Sequence, residues 1–594
     1  MTQTTPVRVQ PPSQQTANLR YRVAMQPTAH LFDVTLHLSE WKDDLLELRF
    51  PVWTPGSYLV REYAKHLQDF SATTRSHQQL SWRKVSKNSW QIDTEGASEI
   101  EVRYRMFANE LTVRTNHLDT THGYFNGAAL FFFVPGWENS PVEVTIVPPD
   151  PNWTVATALP SVPGKPLTYR SPDFDTLVDS PFEIGTHQLY SFEVEGKDHD
   201  LVVWGRGNFD AKAAIADTKK IIHTEAQLFG ELPYDRYLFI LHLSASGYGG
   251  LEHKDSCSLN YPRLGFGDRD KYHRFMQLVA HEFFHLWNVK RIRPKALEKF
   301  NYEREVYTTS LWFCEGVTSY YDILLPLRAG VYDGKAFLKG LSNDLNRYLT
   351  TPGRKVQPLG ESSFDAWIKL YRRDANSDNA QISYYLKGAV VALMLDLEIR
   401  QVTKNQRSLD DVMRQMWQQF GKDEIGYSPS QLRQVIESVA GCDFGDFLHH
   451  YIHGTRELPL DEYLAPFGLK VESDRGKQPP FLGVRFNSDQ GNTVQFVEFD
   501  SPAQKAGIDT GDEILAIDGL RVSASQWNDR LKDFSPGDTV DISFFHQDEL
   551  RTVPVTLGKP HPSRYKLVPL EKPTPQQQDN LERWLGVSVE TLQK

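Results

Sequence analysis

Five residues, His281-Glu282-Phe283-Phe284-His285, constrain this chain more than any others. They close a run from Lys271 in which Phe275, Leu278, Val279 and Leu286 recur near helical spacing, and neither Gly nor Pro interrupts before Pro294. That pattern predicts a mostly buried helix. Residues four apart share a helical face, so the two imidazoles can grip one metal ion with Glu282 beside them. Zinc is the usual occupant of such a nitrogen and oxygen set, and a catalytic site leaves one position open to water. The alternative is a core helix with two incidental histidines. It would bury an acid with nothing to compensate it, which is costly.

A third ligand is needed. Thr308 to Tyr321 is a second apolar run with one acid, Glu315, set among Trp312, Phe313 and Tyr320. A carboxylate there needs a cation, and two His plus one Glu is a catalytic zinc set. Cys314 is a softer candidate, but adjacent helical positions diverge by about 100°, and Glu315 is preferred. Tyr385 opens another apolar helix and can donate a hydrogen bond to a developing oxyanion. Ser246 to His253 follows the apolar strand Tyr237 to Leu243. Its Gly249 and Gly250 permit close backbone approach, and Glu252 is poised to hold a cation.

With these residues in view, the chain resembles the glycyl aminopeptidase family (M61-type). These are zinc exopeptidases with a thermolysin-like (gluzincin) catalytic domain and a PDZ domain. The resemblance rests on Trp53-Thr54-Pro55-Gly56-Ser57-Tyr58, on Trp287-Asn288 to Pro294 and on Trp312-Phe313-Cys314-Glu315-Gly316. It implies one zinc ion per chain on His281, His285 and Glu315, with Glu282 as general base. Tyr385 would stabilise the oxyanion. Glu252, with Gly249 and Gly250, would bind the substrate's free α-amine, although Leu251 and His253 replace the usual Met and Asn. A preference for N-terminal Gly or Ala follows from the resemblance alone. Thermolysin-like relatives often place an acid four residues past the ligating Glu to support a zinc-bound His; here that position is Ser319, so the support must differ.

The predicted fold class is multidomain α+β. Residues 1–18 read as a disordered tail. Residues 19–190 read as an antiparallel β domain, from alternating runs such as Leu31 to Leu38. Tyr58 to Tyr63 is a candidate for the active-site wall or for internal packing. Residues 191–470 read as the catalytic domain with a mainly helical second half, including Leu409 to Phe420, Pro429 to Ala440 and Asp443 to Ile452. His449 and His450 are adjacent, share no face and favour surface or packing roles. Residues 478–560 strongly resemble a PDZ domain, whose loop Phe481-Leu482-Gly483-Val484 would capture a peptide C-terminus. Residues 561–594 read as an extension.

A net charge of −11 argues against a nucleic-acid partner. Three scattered cysteines make no disulfide framework. No apolar run suits a signal peptide or a membrane span, so a cytoplasmic peptidase acting on peptides is expected. Oligomeric state is not readable. The alternatives are a zinc endopeptidase and a PDZ scaffold with a degenerate protease domain.

Overall fold

The structure, a computed structural model, describes residues 18–474, 478–486, 491–588 and 591–592. The rest of the expected N-terminal tail lies outside the described residues.

Alternation builds the N-terminal domain. Leu19–Gln26 and Leu31–Ser39 bury every second side chain along most of their length and pair antiparallel, with Val23 opposite Val34. Glu99–Phe107 and Leu67–Thr74 extend one side of this pair; Val142–Val147 and Thr168–Ser171 extend the other. A second sheet runs in the order Thr154–Ala156, Phe182–Gly185, His122–Phe125, His117–Leu118. The inward faces bury Phe32, Leu36, Val102, Phe125 and Val144 in one core.

The next sheet runs Gln188–Val194, Lys197–Trp204, Arg236–Ser244, Ser256–Pro262, Gly249–Glu252. Its three central strands are parallel, and both edges are antiparallel. A parallel pair needs a crossover, and the helix Ala211–Phe229 supplies one. The Asp210 side chain caps its start by accepting from the Lys212 and Ala213 amides, and Gly230 ends it at φ 89°.

Helices then dominate. Tyr384–Val402 is apolar nearly all round and is buried along almost its whole length, as such a helix must be. It crosses the segment carrying Glu315 at very short range: a Cβ on Gly316 would lie 2.5 Å from Gly388 Cα. Only glycine permits that approach. Of the later helices, Pro429–Ala440 matches its expected span, Gly445–Tyr451 is slightly shorter, and Leu409–Met416 gives way to a π-helical turn at Trp417–Gly421.

The PDZ module has a four-stranded sheet, Leu520–Arg521, Glu513–Ile517, Thr539–His546, Glu549–Thr556, and a separate pair, Val484–Phe486 with Val494–Val497. Its own core includes Leu482, Ile514, Trp527 and Phe544. The chain enters and leaves it beside one antiparallel pair, Leu469–Ser473 with Tyr565–Pro569. The stretch read from sequence as an extension therefore returns to the catalytic unit. Helix Pro575–Leu585 buries Leu581, Trp584 and Leu585 in the same core as the catalytic helices, and Trp584 Nε1 donates to the Tyr320 hydroxyl at 2.9 Å. Neither its chemistry nor its length shows this from sequence; a lone Trp on a polar helix carries no address.

Candidate metal and active centre

Helix Arg269–Phe284 ends at His285, so both histidines stand on its last turn. Glu315 comes from Trp312–Gly316, which winds as a π-helix before the α-helix Val317–Arg328. Such local widening is frequent at functional sites. The two segments are tied by Asn288, whose side-chain amide donates to the Phe313 carbonyl at 2.9 Å and the Cys314 carbonyl at 3.1 Å.

The three side-chain tips converge. His285 Nε2 lies 3.0 Å from His281 Nε2 and 3.1 Å from Glu315 Oε2; His281 Nε2 lies 3.6 Å from that same oxygen. The outer ring nitrogens are committed. His285 Nδ1 donates to the Asn288 carbonyl at 2.6 Å, and His281 Nδ1 to Asp322 Oδ2 at 2.8 Å. With their protons held on Nδ1, both Nε2 atoms present lone pairs to one point, and Glu315 Oε2 is buried there with no hydrogen-bond donor. Three acceptors facing each other repel unless a cation joins them. Ligands about 2.1 Å from one ion would show separations in this range, so the donor set fits a divalent metal.

Asp322 was not found from sequence. Ser319 stands where relatives carry the supporting acid, and, as expected, the support differs: it comes from seven residues past Glu315, two helical turns on, where a residue returns to the same face. Cys314 turns away, its Sγ 3.8 Å from the Tyr427 hydroxyl. Among the described residues, His449 and His450 join no group of converging ligand atoms.

Glu282 is buried beside the three converging side chains. Burial pushes its carboxyl up to about 7, against the pull of His281 and His285. The edge strand Gly249–Glu252 lies against it: a Cβ on Gly250 would sit 2.0 Å from Glu282 Oε1. Glu252 brings a carboxylate oxygen to within 4.8 Å of ligand atoms of Glu282 and His285. Its Oε1 is buried and unpartnered. The N-terminal domain presses on it through Gly56, at φ 85°, where a Cβ would meet Glu252 Oε1 at 2.5 Å. Trp53 and Tyr58 are packed internally, edge-on to Trp367, so this motif contributes Gly56, not its rings, to the wall. Arg114, also missed from sequence, reaches from the same domain and donates to the Gly250 carbonyl at 3.0 Å.

Tyr385 stands on the first turn of its helix with its ring 6.3 Å from that of His281. Its hydroxyl lies 3.1 Å from that of Tyr371, which also contacts Tyr384. Burial raises the Tyr385 pKa well above its ordinary value, so it stays a donor at neutral pH. His281, Glu282, His285, Glu315, Glu252, Asp322, Tyr371, Tyr385, Gly56 and Arg114 line one cleft of about 900 Å³.

At the PDZ loop, Phe481 pairs with Gly558, Leu482 is buried, and Gly483 sits at φ 91°, where a Cβ would also strike Ser501 Cβ at 2.2 Å. Val484 begins the short strand that follows.

The peptidase M61 N-terminal domain description matches residues 20–186, the M61 glycyl aminopeptidase description residues 274–391, and a PDZ description residues 480–557. A crystal structure of an aminopeptidase N family protein from Idiomarina loihiensis is 35% identical, with 96% of this chain and 100% of that chain covered and a TM-score of 0.89. An M1 zinc metallopeptidase from Deinococcus radiodurans is 12% identical over 75% of this chain and 96% of its own, with a TM-score of 0.46. Yeast LTA4 hydrolase in complex with bestatin is 15% identical over 75% of this chain and 68% of its own, with a TM-score of 0.45. No match was found among curated proteins.

Proposed function

Because the chain belongs to the M61 glycyl aminopeptidase family, and is thereby a metallo-aminopeptidase, we propose that it uses zinc to remove small N-terminal residues, Gly or Ala, from peptides. His281, His285 and Glu315 would hold the ion. When bound, it supplies Lewis acidity toward the scissile carbonyl and acidifies the attacking water.

The chain's own residues do the rest. Glu282 takes the proton from the attacking water and returns one to the leaving amine. Tyr385 donates to the carbonyl oxygen as it gains charge. The edge strand Gly249–Glu252 offers backbone groups along which an extended peptide can lie. Glu252 receives the α-ammonium.

One observation carries the exopeptidase reading over the endopeptidase one. Glu252 Oε1 is buried beside Glu282 with no hydrogen bond, an arrangement that calls for a cationic group from the substrate. Gly56 closes the space behind it, which leaves little room for further residues upstream and favours a small first side chain. The test is an aminoacyl-chromogenic panel over Gly, Ala, Leu, Lys and Asp, each with a free and an acetylated amine. Free Gly and Ala substrates should turn over fastest and acetylated ones hardly at all. Glu252→Ala should erode that distinction. Equal rates on free and blocked amines by the unaltered enzyme would overturn the aminopeptidase reading.

The PDZ groove would hold a peptide C-terminus while the N-terminus is trimmed, raising local substrate concentration to about the millimolar range. Ser473 pairs with Tyr565, so residues 478–560 can be replaced by a short Gly/Ser linker. KM should then rise for long peptides and stay unchanged for dipeptides; equal changes for both would remove the tethering idea.

A further inference from the structure

A second convergence of ligand atoms lies where the N-terminal domain meets the catalytic sheet, and it uses none of the residues above. The hairpin His117–Leu118 with His122–Phe125 turns through Asp119-Thr120-Thr121. Asp119 Oδ1 is fully engaged, accepting from Thr121 N at 2.7 Å, Thr121 Oγ1 at 2.6 Å and His122 N at 3.1 Å. That fixes Oδ2 toward His117 Nε2, 3.3 Å away. His122 is fully buried, with its ring stacked on Trp204 at 3.6 Å between centroids. Its Nδ1 lies 2.9 Å from Glu183 Oε1, and Glu183 Oε2 lies 2.9 Å from His242 Nε2. The remaining nitrogen, His122 Nε2, is buried with no hydrogen-bond partner. His117, Asp119 and His122 each bring a ligand atom within 4.8 Å of the others.

We propose that His117, Asp119 and His122 hold a second divalent metal ion of the zinc class, which pins this hairpin to the catalytic sheet. A carboxylate receiving the proton of one ring nitrogen is the arrangement that orients a metal-binding imidazole and leaves the other nitrogen basic. Glu183 does this for His122. The 3.3 Å between His117 Nε2 and Asp119 Oδ2 is what two ligands about 2.1 Å from one ion make at about 105°. The neighbouring trio His122, Glu183 and His242 also converges, yet both Glu183 oxygens there already have a histidine partner. The buried, unpartnered nitrogens of this region are His122 Nε2, His242 Nδ1 and His187 Nδ1, and of these residues only His122 belongs to the group with His117 and Asp119 on the hairpin side. An ion has a way in from that side, since the His117 and Asp119 side chains are 12% and 32% exposed. Glu183 and His242, by contrast, have no exposure. The role is structural: the His122 ring sits on Trp204 of strand Lys197–Trp204, and Glu183 reaches His242 of strand Arg236–Ser244.

The experiment counts zinc in the full-length protein after chelator stripping, reloading with excess Zn²⁺ and desalting. Two ions per chain are expected for the unaltered protein and one for the His281→Ala/His285→Ala variant. Adding Asp119→Asn and His117→Ala to that variant should bring the count to zero. In the His281→Ala/His285→Ala background Zn²⁺ should still raise the midpoint of thermal unfolding, and with Asp119→Asn added it should not. Asp119→Asn alone should lose one ion while keeping peptidase activity. One ion in the unaltered protein and none in His281→Ala/His285→Ala, with that variant folded by circular dichroism and its melting insensitive to Zn²⁺, overturns the proposal.

Discussion

At the residue scale the centre is a set of like-charged neighbours kept together by what they bind. Glu252, Glu282 and Glu315 are all buried within reach of His285. Burial raises the Glu282 carboxyl, whereas at Glu315 burial is outweighed by His285 and His281, which hold it low. Glu282→Gln keeps the shape and removes the proton acceptor. It should retain metal while kcat falls by about 10²–10⁴-fold; near-normal turnover by a metal-loaded variant would remove Glu282 from its role. Asp322→Asn leaves a hydrogen-bond acceptor beside His281 but weakens it. Metal affinity should drop by about 10–100-fold, read by competition with a chelating dye, and unchanged affinity would show that Asp322 is not what orients His281. The convergence of His281, His285, Glu315 and Glu282 was legible in the sequence because their spacing is itself the chemistry proposed for them. Asp322 was not, because a position seven residues on can face the ion only once the helix phase is known, and the π-helical turn at Trp312–Gly316 resets that phase.

At the element scale two contacts set the distances in the cleft. Gly316 and Gly388 let the Glu315 segment and the Tyr385 helix meet backbone to backbone. Gly388→Ala would place a Cβ 2.9 Å from Gly316 Cα and 3.0 Å from the Trp312 carbonyl oxygen. Overpacking of this kind costs about 1–3 kcal/mol, measurable as a lower denaturation midpoint. An unchanged midpoint would show that the helices can separate freely. The second contact joins the PDZ module to the segment carrying Tyr371. Asn379 donates to the Val497 carbonyl at 3.0 Å and accepts from Phe499 N at 2.9 Å, while Arg485 pairs with Asp378. Tyr371 in turn touches the Tyr385 hydroxyl. Asn379→Ala is therefore expected to lower kcat several-fold on dipeptides with little change in KM, and equal kinetics would uncouple the module from the site. The motif around Tyr385 could be read as a helix start, but nothing in sequence links positions 379 and 497; that pairing exists only after both domains fold.

Across the whole molecule, a buried charge cluster helps join the N-terminal and catalytic domains. Asp179, from the N-terminal domain, accepts from Lys290 Nζ at 2.6 Å and from Lys254 N at 2.7 Å, with His253 Nδ1 at 3.1 Å. Burial works to raise its carboxyl, yet Lys290 and His253 hold it well below the ordinary 3.8. A folded-state pKa below the unfolded one stabilises above the unfolded value and is lost as pH falls beneath it. Stability should thus decline below about pH 4 toward the folded-state pKa, and Asp179→Asn should flatten that part of the curve while lowering stability at pH 7. An identical acid limb in the variant would rule the pair out. The three-part architecture was legible because alternation, helical periodicity and the PDZ turn residues each leave a pattern in one stretch of chain. The return of Trp584 to the catalytic core and the reach of Gly56 and Arg114 into the cleft were not, since long-range placement leaves no local periodicity.

The decisive measurement is hydrolysis of a glycyl chromogenic substrate by one protein sample before chelation, after it, and after readdition of Zn²⁺. Loss of activity on stripping and recovery on reloading are expected for the unaltered enzyme, with no recovery in His281→Ala/His285→Ala. Full activity in a sample shown to hold no metal would contradict the assignment of His281, His285 and Glu315 as its ligands.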